Sequence, residues 1–173
     1  VGEDDPQKAL GAVQDAAKRA GEHGHGDIVE RILCRGLPQT QRTALGCYPA
    51  LGQAHADVYA LLKKYRPKGI VHCYSGSAED AVQLAAQGLH IGFGGACTFN
   101  GAKRAAKAIE ALPLDAIVLE TDCPYMAPEP VRGTRCDSSL IRYEGAYIAQ
   151  RKALAPEEVF RTTAANDRRG FGL

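Results

Sequence analysis

A chain of 173 residues can hold one domain with a substantial core, whereas a closed barrel of eight strand–helix units takes about 250 residues, roughly 30 per unit. A net charge of +1 gives no overall field to gather nucleic acid, so any such binding must rest on a local patch. Six cysteines without C-x-x-C spacing, and no leader or membrane-spanning apolar stretch, point to reduced thiols in a cytoplasmic protein and exclude both a zinc knuckle and a disulfide scaffold.

Asp5 and Pro6 open a predicted helix as N-cap and first-turn proline. It runs to about Arg19, with Leu10, Val13 and Ala17 on one face. Gly21 to Gly26 is a loop on glycine content, and the pair His23 and His25 within it reads as solvated. Asp27 to Arg35 is expected to be helical, with Ile28, Ile32 and Leu33 inward. Residues 36–52 show no period, yet a spacing of roughly 30 residues per unit puts a strand near 42–46. His55 falls in the first turn of a helix from Ala54 to Tyr65 and reads as a surface residue.

From there the pattern is regular. Lys63, Lys64, Arg66 and Lys68 form a basic cluster ahead of a strand, Lys68 to His72, and read as a solvated face. A helix from Ala78 to Gln87 follows, capped by Ser77 and closed by Gly88. Leu89 to Gly94 is the next strand. The glycines of Gly92-Phe-Gly-Gly95 do not have phosphate-loop spacing and suit close backbone approach. Ala102 to Ala111 is a helix and Ala116 to Glu120 a strand, followed by a Pro/Gly/Arg loop from Pro124 to Cys136. A helix near Ser139 to Lys152 and a last one from Pro156 to about Arg168 complete the chain. Short apolar strands alternating with helices specify an α/β fold with a parallel sheet under helical cover.

Two strand ends carry the chemistry. Ile70-Val-His-Cys-Tyr-Ser-Gly76 is an apolar run, a metal-competent residue and a small-residue turn, and Ala116-Ile-Val-Leu-Glu-Thr-Asp122 ends the same way in carboxylates. Carboxylates at the end of a buried strand are costly unless they bind a metal, a substrate or a partner. In barrels of alternating strands and helices that edge is where reactions occur. An imidazole and carboxylates suit a divalent ion, with Mg²⁺, Mn²⁺ and Zn²⁺ all compatible. Glu120 is expected to hydrogen-bond a ligand or the neighbouring loop rather than bind metal, since alternation turns it away from Thr121. Cys73 is expected to be a small buried hydrophobe.

His72-Cys-Tyr-Ser-Gly76 resembles the His-Cys-Phe-Ser/Thr-Gly signature of the TatD family of metal-dependent deoxyribonucleases, and Leu119-Glu-Thr-Asp-Cys-Pro-Tyr125 resembles its Leu-Glu-Thr-Asp-Ala/Ser-Pro-Tyr signature. Gly88 to Phe99, Thr162-Thr-Ala-Ala-Asn166 and Phe171-Gly-Leu173 are similar to further family segments, so that residues 53–173 match well and 1–52 poorly within one partial domain. The resemblance implies a TIM-barrel-type metal-dependent hydrolase fold, incomplete, of about five or six C-terminal units. It also implies divalent-metal cleavage of the phosphodiester bonds of DNA, with Asp122 catalytic and His72, Asp122 and Glu3 on the metal. Glu3 is carried by the short match of Val1-Gly-Glu3 to the family's third strand end. Arg132, in a loop that departs from the family's Arg-Gly-Lys-x-Asn-x-Pro at Cys136-Asp-Ser138, is the phosphate-binding candidate. The family's metal histidine at the end of the fourth strand has no counterpart in Ala44 to Leu51. A catalytically impaired fragment with residual metal binding, or an amide or ester hydrolase, is the alternative.

Overall fold

Apolar runs of three to five residues, rich in Ile, Val and Leu, form a parallel sheet in the computed structural model, which describes residues 42–46 and 68–171. The strands are β1 (Arg42–Gly46), β2 (Lys68–His72), β3 (Leu89–Phe93) and β4 (Ile117–Leu119), side by side in chain order. The strand expected near residues 42–46 is therefore present, and its register sets Gly46 beside His72. Outside the described residues lie Glu3, the predicted helices over 5–19, 27–35 and 54–65, the histidines His23, His25 and His55, and the cluster of Lys63, Lys64 and Arg66.

Val71, Ile91, Phe93 and Ile117 are fully buried, and β3 and β4 read as near-continuous apolar runs because helices cover a parallel sheet. Burying each such side chain contributes about 1.5–3 kcal/mol, which makes this layer the main source of stability. The helices are α1 (Ala78–Ala86), α2 (Lys103–Ala111), α3 (Ile141–Lys152) and α4 (Pro156–Phe171). They pack in succession, α1 on α2, α2 on α3 and α3 on α4. Among the described residues no helix is long and apolar enough to cross a membrane.

Local signals place the boundaries. Ser77 Oγ accepts from the Asp80 N–H at 3.1 Å and opens α1, and Gly88, at φ +91°, turns the chain into β3. β4 is shorter than its apolar run because Leu114–Ala116 winds into a 3-10 turn, with the Ala116 N–H donating to Pro113 O at 3.1 Å. Another such turn, Ser138–Leu140, precedes α3, so that α-helix begins two residues after the expected Ser139. α4 extends three residues past Arg168, and on its inner face Asn166 is fully buried. The Asn166 amide donates to Leu114 O at 2.9 Å and to Ile117 O at 2.6 Å, tying the last helix to the entry of β4.

Candidate metal centre

β2 ends in His72 and the chain leaving β4 carries Glu120 and Asp122, so both signatures reach the same edge of the sheet. β3 lies between them, and two strand spacings amount to about 9.6 Å. Glu120 bridges that gap across Gly92. A methyl group at Gly92 would overlap the Glu120 carboxylate, so the missing side chain on the middle strand is what admits it. The glycines of this strand end therefore do permit close approach, in this case by a side chain.

Glu120 Oε2 lies 2.6 Å from His72 Nδ1, and Oε1 accepts from the Cys73 N–H. Cys73 adopts a left-handed φ of 51°, uncommon for a residue with a side chain, and that turn aims its N–H at the carboxylate. His72 Nε2 faces Asp122 Oδ1 at 2.9 Å. Hydrogen bonds donated to Asp122 first and to Glu120 second push the His72 imidazole up to about 10, so it is positively charged at neutral pH.

The arrangement fits a divalent ion on its donor chemistry. A carboxylate on Nδ1 fixes the tautomer that leaves Nε2 as the donor, the usual support of a metal-binding histidine. Ligand bonds of about 2.1 Å at right angles separate adjacent donors by about 3 Å, close to the 2.9 Å between Nε2 and Oδ1. Glu120 faces Nδ1, the nitrogen away from Asp122, and Gly46, without a side chain, stands beside His72 on the neighbouring strand. The structure thus brings His72 and Asp122 together, while Glu3 lies outside the described residues. Arg132 is half-exposed, stacks over the Phe99 ring at 4.1 Å and lies 3.9 Å from Glu129.

This chain matches the family described as TatD related DNase over residues 51–172. It belongs to the TatD family. A Bacillus subtilis (strain 168) protein named uncharacterized metal-dependent hydrolase YabD is 36% identical over 123 residues, which are 69% of this chain and 48% of that protein. A Mycobacterium tuberculosis (strain ATCC 25618 / H37Rv) protein named uncharacterized metal-dependent hydrolase TatD is 32% identical over 123 residues, covering 70% of this chain and 47% of that one. The chain spans about half the length of the curated relatives it matches. Among solved structures, a TatD family hydrolase from Entamoeba histolytica superposes with a TM-score of 0.64 at 18% identity, over 75% of this chain and 50% of that one. The TatD homolog YJJV from Escherichia coli K12 gives 0.59 at 18%, over 93% and 70%. These likenesses establish the TIM-barrel-type fold for a TatD family chain whose described sheet is wholly parallel.

Two features of this TatD family site were missed from sequence. Glu144, on α3, is fully buried, and neither of its carboxylate oxygens has a hydrogen-bond partner among the described residues. Burial first, then the charges of Glu120 and Asp122, push it up to about 8. Its position gave the signal: Glu144 lies midway between Leu140 and Ile148, four residues from each, on the apolar stripe. The second is a cleft of about 520 Å³ beside the strand ends, lined in part by Cys73, Gly94, Cys97, Lys103, Arg104 and Met126. Lys103 and Arg104 are in the first turn of α2 and exposed, a setting that suits an anion.

Proposed function

We propose that His72 Nε2 and Asp122 hold a divalent cation, Mg²⁺, Mn²⁺ or Zn²⁺, with Glu3 as a further ligand, and that the protein hydrolyses phosphodiester bonds of DNA. The observation that carries this reading is the carboxylate of Glu120 on His72 Nδ1, which presents the opposite nitrogen to Asp122. A bound cation supplies Lewis acidity, lowering the pKa of a water and offsetting charge on the phosphodiester. Asp122 orients the attacking water and accepts its proton on a carboxylate oxygen. Glu120 holds the His72 ring and, through the Cys73 N–H, the turn that follows it. Arg132, on its Phe99 platform, offers a planar pair of donors to a phosphate, and Lys103 and Arg104 add positive charge along the cleft.

A second reading, a member of the fold with residual metal binding and little or no catalysis, is favoured by Gly46 beside His72, a strand-end position with no side chain to donate. DNA hydrolysis with each of the three cations, beside Asp122→Asn and with circular dichroism on the same samples, separates the two. Metal-dependent cleavage that drops at least 100-fold in the variant is expected. A folded parent that cleaves no DNA with any of the cations would leave the second reading standing.

A further inference from the structure

The loop between the strand end and α3 begins and ends in a cysteine, and the fold brings those two together. Cys123 Sγ lies 3.7 Å from Cys136 Sγ across a 13-residue separation. The backbone holds them there, since the Cys136 N–H donates to Pro124 O at 3.0 Å. Cys136 is 2% exposed and packs with Ala127 and Leu140, whereas Cys123 is exposed, its Sγ 3.2 Å from Thr121 Oγ1. Both are free thiols, and a disulfide of about 2.05 Å needs the two sulfurs to approach by only about 1.6 Å.

We propose that Cys123 and Cys136 are a dithiol modification site, converted by a small-molecule disulfide of the glutathione type into a reversible intramolecular disulfide. The sulfur of Cys123, the one that solvent reaches, attacks one sulfur of the donor, forming a mixed disulfide and releasing one thiol, with the Cys123 proton passing to the leaving sulfur through solvent. Cys136 then attacks Cys123 Sγ, the protein disulfide forms, and the second donor thiol leaves with the Cys136 proton. Two protein thiols are oxidised and one donor disulfide is reduced to two thiols. The division of labour between an exposed attacking thiol and a buried resolving thiol follows from the positions alone. The bond would tie the residue next to Asp122 to the far end of the loop that carries Arg132, closing that loop on itself.

Trypsin makes the test direct, because it cuts after Arg132 and Arg135 and separates the cysteines into the peptides 108–132 and 136–142. The full chain, folded and reduced, is treated with oxidised glutathione, its remaining thiols are alkylated, and the digest is weighed by mass spectrometry. The expected product is those two peptides joined, two hydrogens lighter than their sum, in a chain that stays monomeric on a non-reducing gel and separates on adding dithiothreitol. Cys123→Ser should abolish both the link and the glutathione adduct, and Cys136→Ser should trap the adduct on Cys123. Three results would overturn the proposal: a stable glutathione adduct on Cys123 in the parent, a link between two chains, or Cys123 and Cys136 both fully alkylated after oxidation.

Discussion

Glu120 acts on the candidate metal centre through His72 Nδ1, so its removal should affect cation binding before it affects the fold. Glu120→Gln loses the carboxylate that holds the proton on Nδ1 and so leaves Nε2 as the donor, and the expected loss of Mn²⁺ affinity is about 10–100-fold, measured by calorimetric titration. An affinity equal to the parent's would mean that His72 needs no orienting carboxylate. Glu144 should govern pH dependence. Its folded pKa, about 8, exceeds the ordinary carboxylate value, so the folded state holds its proton more tightly and the resulting stability is full below about 4.5 and lost as pH rises through 8. His72, raised to about 10, contributes a loss of the same sign between about 6.5 and 10. Urea unfolding of the parent should therefore show declining stability from pH 6 to pH 9. Glu144→Gln should remove on the order of 1–3 kcal/mol of that decline and leave the share due to His72.

At the scale of elements, the middle strand decides whether β4 can serve β2. Gly92 leaves the space that Glu120 crosses, and Val71 O closes it from the other side, 3.1 Å from where a methyl group would sit. Gly92→Ala should cost about 1–3 kcal/mol of stability in urea and also weaken Mn²⁺ binding as Glu120→Gln does, because the carboxylate is displaced from Nδ1. A stability loss with unchanged affinity would show that Glu120 has another route to the histidine. The strand ends themselves were legible: the runs of β2 and β4 stop at His72 and Glu120, and the residue spacing put a strand at 42–46, which is β1. Their lengths were less so. β4 loses its first residue to a 3-10 turn and α3 its first two to another, since both compete locally with regular hydrogen bonding in ways that apolar periodicity does not record.

Taken whole, the described part of the molecule brings an imidazole and two carboxylates together at the C-terminal edge of a parallel sheet, a candidate metal site with a basic-rimmed cleft beside it. With His72 and Asp122 as the donors among the described residues, the expected stoichiometry is one Mn²⁺ per chain, counted by electron paramagnetic resonance of the free ion. Two ions of similar affinity per chain would require donors from residues outside 68–171. Binding should also release protons, since the imidazole is charged without the cation, and affinity should rise with pH.

The sequence by itself determined the α/β class, the parallel sheet and the family, and it named His72 and Asp122, which the fold brings together. Each of these is written in contiguous residues, as an apolar run, a turn or a signature, and local patterning is enough to read it. It also gave Glu120 a hydrogen-bonding part, though not its partner. Only the tertiary structure decided that Glu120 reaches His72 over Gly92, that Glu144 is buried within electrostatic reach of Glu120 and Asp122, and that Cys123 meets Cys136. Those facts depend on strand register and helix rotation, which bring together residues 13 to 48 positions apart. A one-residue slip in register would have turned each side chain to the opposite face without altering the composition of any segment.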